Sequence, residues 1–413
     1  MTVGLGGMFV LFGCLEILRF LLARLASERV GLIRYQASIC WIPFLRLWRR
    51  IASREGLLPG SVPPRKAGSL DERLRTSRIF VVGPLSYGST GWGRLEALRR
   101  IFGEAGSLNI DPWSQGLSFG KHLMANHFYS GPALRGINTA LREQVRVFRP
   151  DILWVDKGIH IMAETLAEIA REGRPLLISY SPDQQMALQN QSRHYLMSLA
   201  LYDVHITTKP GNVSWLKRCG GRRVEYIGNG FCPELHRPMS LTPEEEEMYG
   251  CDIGFIGRCE PSREELLFRL WEQGYRVKVW GGGWEEAKRR KHPLFQNASQ
   301  RVGEEYAKAV CGTKINLGFL STWYGDVTTT RSVEIPACGR FLLGERTQEH
   351  TGLFREGIEA EFYSTREELF EKTAYYLQHE EERETITRAG QARCIAHYSN
   401  DSCLRGVLGR ILG

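Results

Sequence analysis

The chain has 413 residues, 43% of them hydrophobic and 24% charged, which excludes a disordered or collagen-like protein and leaves room for two folded domains. Its net charge of +8 is uneven: residues 1–75 hold twelve Lys/Arg against five Asp/Glu, so the remainder is almost neutral. Basic charge confined to one end, with no zinc-finger, RNP or helix-turn-helix pattern, argues against nucleic-acid binding.

At the N-terminus, residues 3–15 are an apolar run closed by Glu16 and Arg19. A spanning helix needs about 20 apolar residues, and the basic flank of a signal peptide is missing. Residues 39–50 mix Trp41 and Trp48 with Arg46, Arg49 and Arg50, the composition of a helix lying on an anionic membrane. Two readings follow: a cytoplasmic protein held on the inner face of the membrane through residues 1–55, or an extension with no membrane role. The turn-rich segment 59–68 is a linker, and the folded body is expected from about residue 76.

Short apolar strands then alternate with amphipathic helices. Strands are expected at 78–83, 151–156, 175–180, 203–207 and 223–227, with helices at 91–102, 133–148, 161–172, 191–200 and 211–219. After Pro238 and the acidic run Glu244–Glu247, a second series gives strands at 251–256, 275–280, 313–318, 340–343 and 359–363. Helices at 262–273, 302–310, 330–337 and 365–378 alternate with them, and 380–412 is helical. This alternation predicts two α/β domains, each a doubly wound parallel sheet covered on both faces. The expected boundaries are 1–75 for the extension, 76–238 and 239–385 for the domains, and 386–413 for helices returning towards the first domain. Ligands of such sheets bind at the carboxyl ends of the strands, so the chemistry is expected in a cleft between the domains.

The ten cysteines are scattered without a C-x-x-C pair, which argues against a zinc site or disulfide framework and for a reducing compartment. The loop Gly83–Gly93 joins a strand to a helix and is either a ligand loop or a tight structural turn. It is not a G-x-G-x-x-G, so the dinucleotide fingerprint of an NAD oxidoreductase is absent. Asp183 follows a strand and a proline, and either caps a turn or serves catalysis. Lys314 is a strand-edge charge or a phosphate contact, while His127 and His160 are read as structural histidines.

Three later segments carry a resemblance. Asp203–Lys209 followed by Tyr226–Pro238 resembles the end of the N-terminal domain in GT-B glycosyltransferases of the family-4 type. Asp252-Ile-Gly-Phe-Ile-Gly-Arg258 with Arg263 resembles the opening of their donor domain, and Val277–Trp284 their glycine loop. Asp326-x7-Glu334 falls where that family carries Glu-x7-Glu, with Asp a methylene shorter. Tyr180–Asp183, Thr207–Asn212, Thr330–Gly339 and Glu345–His350 look closer to the CgeB-type, spore-maturation-like subfamily. The resemblance covers about 78–398.

It implies a GT-B fold and transfer of a sugar from a nucleoside-diphosphate sugar to a glycan, lipid or protein acceptor. Arg258 and Arg263 would hold the donor diphosphate, with Gly257, Gly282, Lys314, Thr330 and Arg331 beside it. Glu334 would take the ribose hydroxyls, Asp326 would face the transferred sugar, and Asp183 would be the general base if one is used. Tyr87, Gly88, Ser89, Thr90, Lys209 and Asn212 would face the acceptor. No Asp-x-Asp is present, so neither metal nor cofactor is expected, and the family-4 likeness tilts the outcome to retention. The alternative is a non-catalytic nucleotide- or glycan-binding protein of a spore or cell envelope; an epimerase or phosphorylase fits less well.

Overall fold

A computed structural model describes residues 41–54, 58, 68–115, 129–187, 190–289, 292–296, 298–322 and 325–413. These form two compact units. The first comprises the described residues up to Ser86, those of Leu98–Ile227, and Arg405–Gly413; the second comprises Tyr87–Ala97 and the described residues of Gly228–Leu404. The main division therefore falls at 227/228 rather than 238/239. Of the C-terminal helices, Glu380–His397 belongs to the second unit and only residues 405–413 to the first.

The first unit is built on six parallel strands: β1 Arg78–Gly83, β2 Glu104–Asn109, β3 Ile152–Asp156, β4 Leu176–Ser181, β5 Val204–Thr207 and β6 Val224–Tyr226. Their order is β2-β1-β3-β4-β5-β6. Strands β3 and β4 are buried at every position, which is why they read as continuous apolar runs. Strand β2 was not expected, because its sequence Glu-Ala-Gly-Ser-Leu-Asn lacks apolar alternation. It is an edge strand, and a Cβ at Gly106 would lie 2.7 Å from Phe80 and 3.0 Å from Phe148. Small residues are needed there because two aromatic rings fill the space.

Helix Pro132–Phe148 shows how the core is closed. Leu134, Ile137, Leu141 and Val145 recur at helical spacing and are buried. Asn138 shares that face but is fully satisfied: its amide donates to the carbonyls of Leu134 and His160, and its oxygen accepts from the Met162 N–H. That last bond fixes the start of helix Ala163–Glu172.

Helix Trp41–Arg54, in the segment read for a membrane surface, packs its apolar side on the first unit. Leu45, Trp48 and Ala52 are buried in the first unit's core, and the Trp48 indole N–H donates to the Met197 carbonyl at 3.0 Å. This apolar stripe is already occupied by protein. Residues 1–40 lie outside the described residues; among those described, no helix is long and apolar enough to cross a membrane.

The second unit has five parallel strands: β7 Cys251–Ile256, β8 Val277–Trp280, β9 Thr313–Gly318, β10 Phe341–Glu345 and β11 Glu361–Tyr363, in the order β11-β10-β9-β7-β8. Counted from its own first strand, this is the same winding as the first sheet, reversing between β7 and β9. Ile253, Phe255, Ile315, Leu317 and Leu343 form the centre of its core. The crevice at the reversal is where such a sheet binds ligands.

Candidate functional site

Within the second unit, a cavity of about 660 Å3 opens at the carboxyl ends of β7 and β8. Its floor is glycine because two backbone strands touch there. The Gly257 N–H donates to the Trp280 carbonyl at 2.8 Å, and the Cys259 N–H to that of Gly282 at 3.1 Å. Gly281 has φ 130°, and a Cβ on it would lie 2.1 Å from the Gly257 oxygen. Only glycine permits that approach, and it leaves space for a ligand against bare backbone.

Gly88, Ser89 and Thr90 line the same cavity. The Ser89 hydroxyl accepts from the Trp92 N–H at 3.0 Å, capping helix Thr90–Ile101. Gly88 has φ 79°, and a Cβ there would meet the Gly303 nitrogen at 2.7 Å. Tyr87 is exposed and packs its ring edge-on against Trp92; it is not a lining residue.

Glu334 enters the cavity from helix Arg331–Ala337. The Tyr306 hydroxyl donates to Glu334 Oε2 at 2.8 Å, and His236 Nε2 stands 3.7 Å from Oε1. Burial pushes the Tyr306 phenol well up, with the Glu334 charge adding to it. Burial pushes the His236 imidazole down, opposed by Glu334. Sequence reasoning assigned neither residue a role. Tyr306 sits in an ordinary amphipathic helix, Glu304–Cys311, and nothing local marks it.

The two expected diphosphate arginines differ in kind. Arg258 is exposed and lines the cavity. Arg263 is 4% exposed; its guanidinium pairs with Glu260 at 3.1 Å and donates to the Arg258 carbonyl at 2.9 Å. Burial lowers its pKa, partly offset by Glu260. It is a brace beneath the loop rather than a lining group. Arg331 and Thr330 do line the cavity, and Arg331 donates to the Phe319 carbonyl at 3.3 Å.

Asp326 is half-buried, outside the lining, with its N–H donating to Ser321; its charge acts on Arg263. Lys314 stands at the amino end of β9, exposed and paired with Asp252 at 3.1 Å. That is the wrong end of the strand for a phosphate ligand in this sheet, and the strand-edge reading describes it better.

The remaining candidates belong to the first unit. Asp183 pairs with Lys157 at 3.0 Å, where Lys157 adopts φ 52°. Asn212 is buried and spends its amide on the Asp183 carbonyl and Thr207 hydroxyl, its oxygen accepting from the Gln185 N–H. It therefore braces the loop after β4. Lys209 is buried just before helix Pro210–Arg218. His160 is held at about 4 by burial, against the pull of Asp111; His127 lies outside the described residues. Among the described residues no three His, Cys, Asp or Glu side chains gather as metal ligands.

Comparison with known proteins agrees with this architecture. Residues 263–409 match the family described as glycosyl transferase-like. Sucrose-phosphate synthase from Thermosynechococcus elongatus aligns over 81% of this chain and 99% of its own, at 13% identity and TM-score 0.58. HepE from Anabaena, solved with UDP and glucose, aligns over the same shares at 12% identity and TM-score 0.54. A glycosyltransferase from Rickettsia africae aligns over 81% and 97%, at 15% identity and TM-score 0.53. Among curated proteins, a 65-residue stretch is 35% identical to acetylglutamate kinase from Desulfitobacterium hafniense, spanning 15% of this chain and 22% of that one; so short a match does not bear on the whole chain. The chain has the two-sheet fold of the GT-B glycosyltransferases, and its residues 263–409 match a family described as glycosyl transferase-like.

Proposed function

We propose that this protein transfers a sugar from a nucleoside-diphosphate sugar to an acceptor, with the donor held in the glycine-floored cavity of the second unit. The observation that carries the reading is Glu334, a buried carboxylate met by Tyr306 and set in one cavity with Arg258 and Arg331. A carboxylate suits the vicinal hydroxyls of a ribose, and arginine forks suit a diphosphate. The glycosyl transferase-like match contains Arg331 and Glu334, and HepE was solved with UDP and glucose in a comparable fold.

Breaking the glycosidic bond leaves negative charge on a diphosphate, so fixed positive charge is the main catalytic need. Arg258 and Arg331 supply it in this reading, and the reaction is proposed to proceed without a metal and with retention. The acceptor is proposed to be a glycan, lipid or protein, with Asp183 as the base where one is used, in a protein of the CgeB type that the sequence resembles. A second reading, a donor-binding protein without turnover, draws on Asp326, which is shorter than the expected glutamate and lies outside the cavity lining.

Calorimetric titration of the full-length protein with UDP, GDP, ADP and TDP, with and without magnesium, tests the proposal. Metal-independent binding of one nucleoside diphosphate is expected. No binding by any of them would overturn the donor site, and binding without hydrolysis or transfer of the sugar nucleotide would favour the second reading.

A further inference from the structure

Glu334 is 5% exposed, a burial that an ionised carboxylate tolerates when donors meet its oxygens. The Tyr306 hydroxyl meets Oε2 at 2.8 Å, and His236 Nε2 approaches Oε1 at 3.7 Å. The other ring nitrogen of His236 fixes the tautomer. The Cys232 backbone N–H donates to Nδ1 at 3.0 Å, so the neutral ring carries its proton on Nε2, the nitrogen facing Glu334. The two rings also support one another, edge to face at 5.4 Å between centroids. All three residues line the cavity.

A carboxylate offers about four lone-pair sites, two on each oxygen. Tyr306 occupies one on Oε2, and His236 faces one on Oε1. One site is then left on each oxygen, the pattern that two adjacent hydroxyls require. We propose that Tyr306 and His236 are positioning residues that hold Glu334 for the 2′,3′-diol of a ribonucleoside diphosphate, so that the site selects ribose over 2′-deoxyribose. This rests on the donor reading above. Without the Tyr306 hydroxyl, Glu334 loses the bond that fixes the plane of its carboxylate, and the paired geometry goes with it.

The test is a ratio. Full-length protein is titrated with UDP, GDP and ADP, and then with the 2′-deoxy counterpart of whichever binds. The wild type is expected to favour the ribonucleotide by about tenfold or more, the scale of one hydrogen bond to a charged group. Tyr306→Phe is expected to bring the ratio close to one by weakening the ribonucleotide alone. A merely structural role would weaken both nucleotides alike, leave the ratio unchanged and overturn the proposal. His236→Asn keeps an acceptor for the Cys232 N–H and removes the Nε2 donor. It is expected to lower the ratio in the same direction, and it serves as the test where Tyr306→Phe does not fold. Failure of the wild type to bind any nucleoside diphosphate would instead overturn the donor reading, and this inference with it.

Discussion

Arg263 donates a guanidinium N–H to the backbone carbonyl of Arg258 at 2.9 Å, so one arginine braces the loop from which the other reaches the cavity. The two should therefore fail differently. Arg258→Ala is expected to weaken nucleoside-diphosphate binding by about tenfold or more, as loss of a charge-assisted bond does, with little change in melting temperature. Arg263→Ala leaves Glu260, 2% exposed, as a buried charge without its partner, at a cost of about 3–5 kcal/mol. Calorimetry and thermal melts on the two variants separate the roles; equal stability would remove the brace.

Gly281→Ala tests the floor of the cavity. A Cβ at this position would lie 2.1 Å from the Gly257 oxygen, on a backbone with φ 130°. The turn after β8 must move, and with it the Gly282 carbonyl that accepts from Cys259. Nucleotide binding is expected to be lost while the first unit keeps its stability, measured as two transitions in urea. Gly274→Ala, with nothing within 4 Å of the added Cβ, controls for backbone strain at another left-handed glycine.

Trp48 separates a core role from a membrane role. Its side chain is buried in the first unit's core and bonded to Met197, so Trp48→Ala is expected to destabilise that unit by about 3–5 kcal/mol. The measurement is the urea midpoint, in the absence of any lipid. A variant lacking residues 1–40 leaves this helix in place, and vesicle co-sedimentation of that variant isolates whatever those residues contribute.

What the sequence shows of this fold follows from where its apolar residues go. Strands β3 and β4 are legible because both faces are buried and every residue must be apolar or paired. Strand β2 is not, since Gly106 answers to Phe80 and Phe148 rather than to any alternation. The same division runs through the site. Arg258 and Glu334 are found by spacing along the chain, whereas Tyr306 meets Glu334 from 28 residues away, a contact that exists only after folding. Arg263 looks like a phosphate ligand in the sequence because spacing does not reveal that Glu260 lies beside it, inside the protein.

Three histidines in the first unit, His194 and His205 buried and His160 half-buried, give its stability a pH dependence. His160, His194 and His205 are each held down from an ordinary value near 6.5 to about 4, burial being the largest cause in every case. His205 shows why. It is 1% exposed, Nε2 lies 2.8 Å from the Leu199 carbonyl, and Nδ1 has no partner. A second proton would therefore place an unpaired charge in the core. Between about pH 6.5 and 4 the unfolded chain binds these protons and the folded chain does not, so stability present above 6.5 is lost as the pH falls through that window. Urea midpoints are expected to fall steadily from pH 7 to pH 4.5. His205→Gln retains a donor for Leu199 without titrating, and its midpoint should fall less steeply; parallel curves for the two proteins would remove His205 from the acid response.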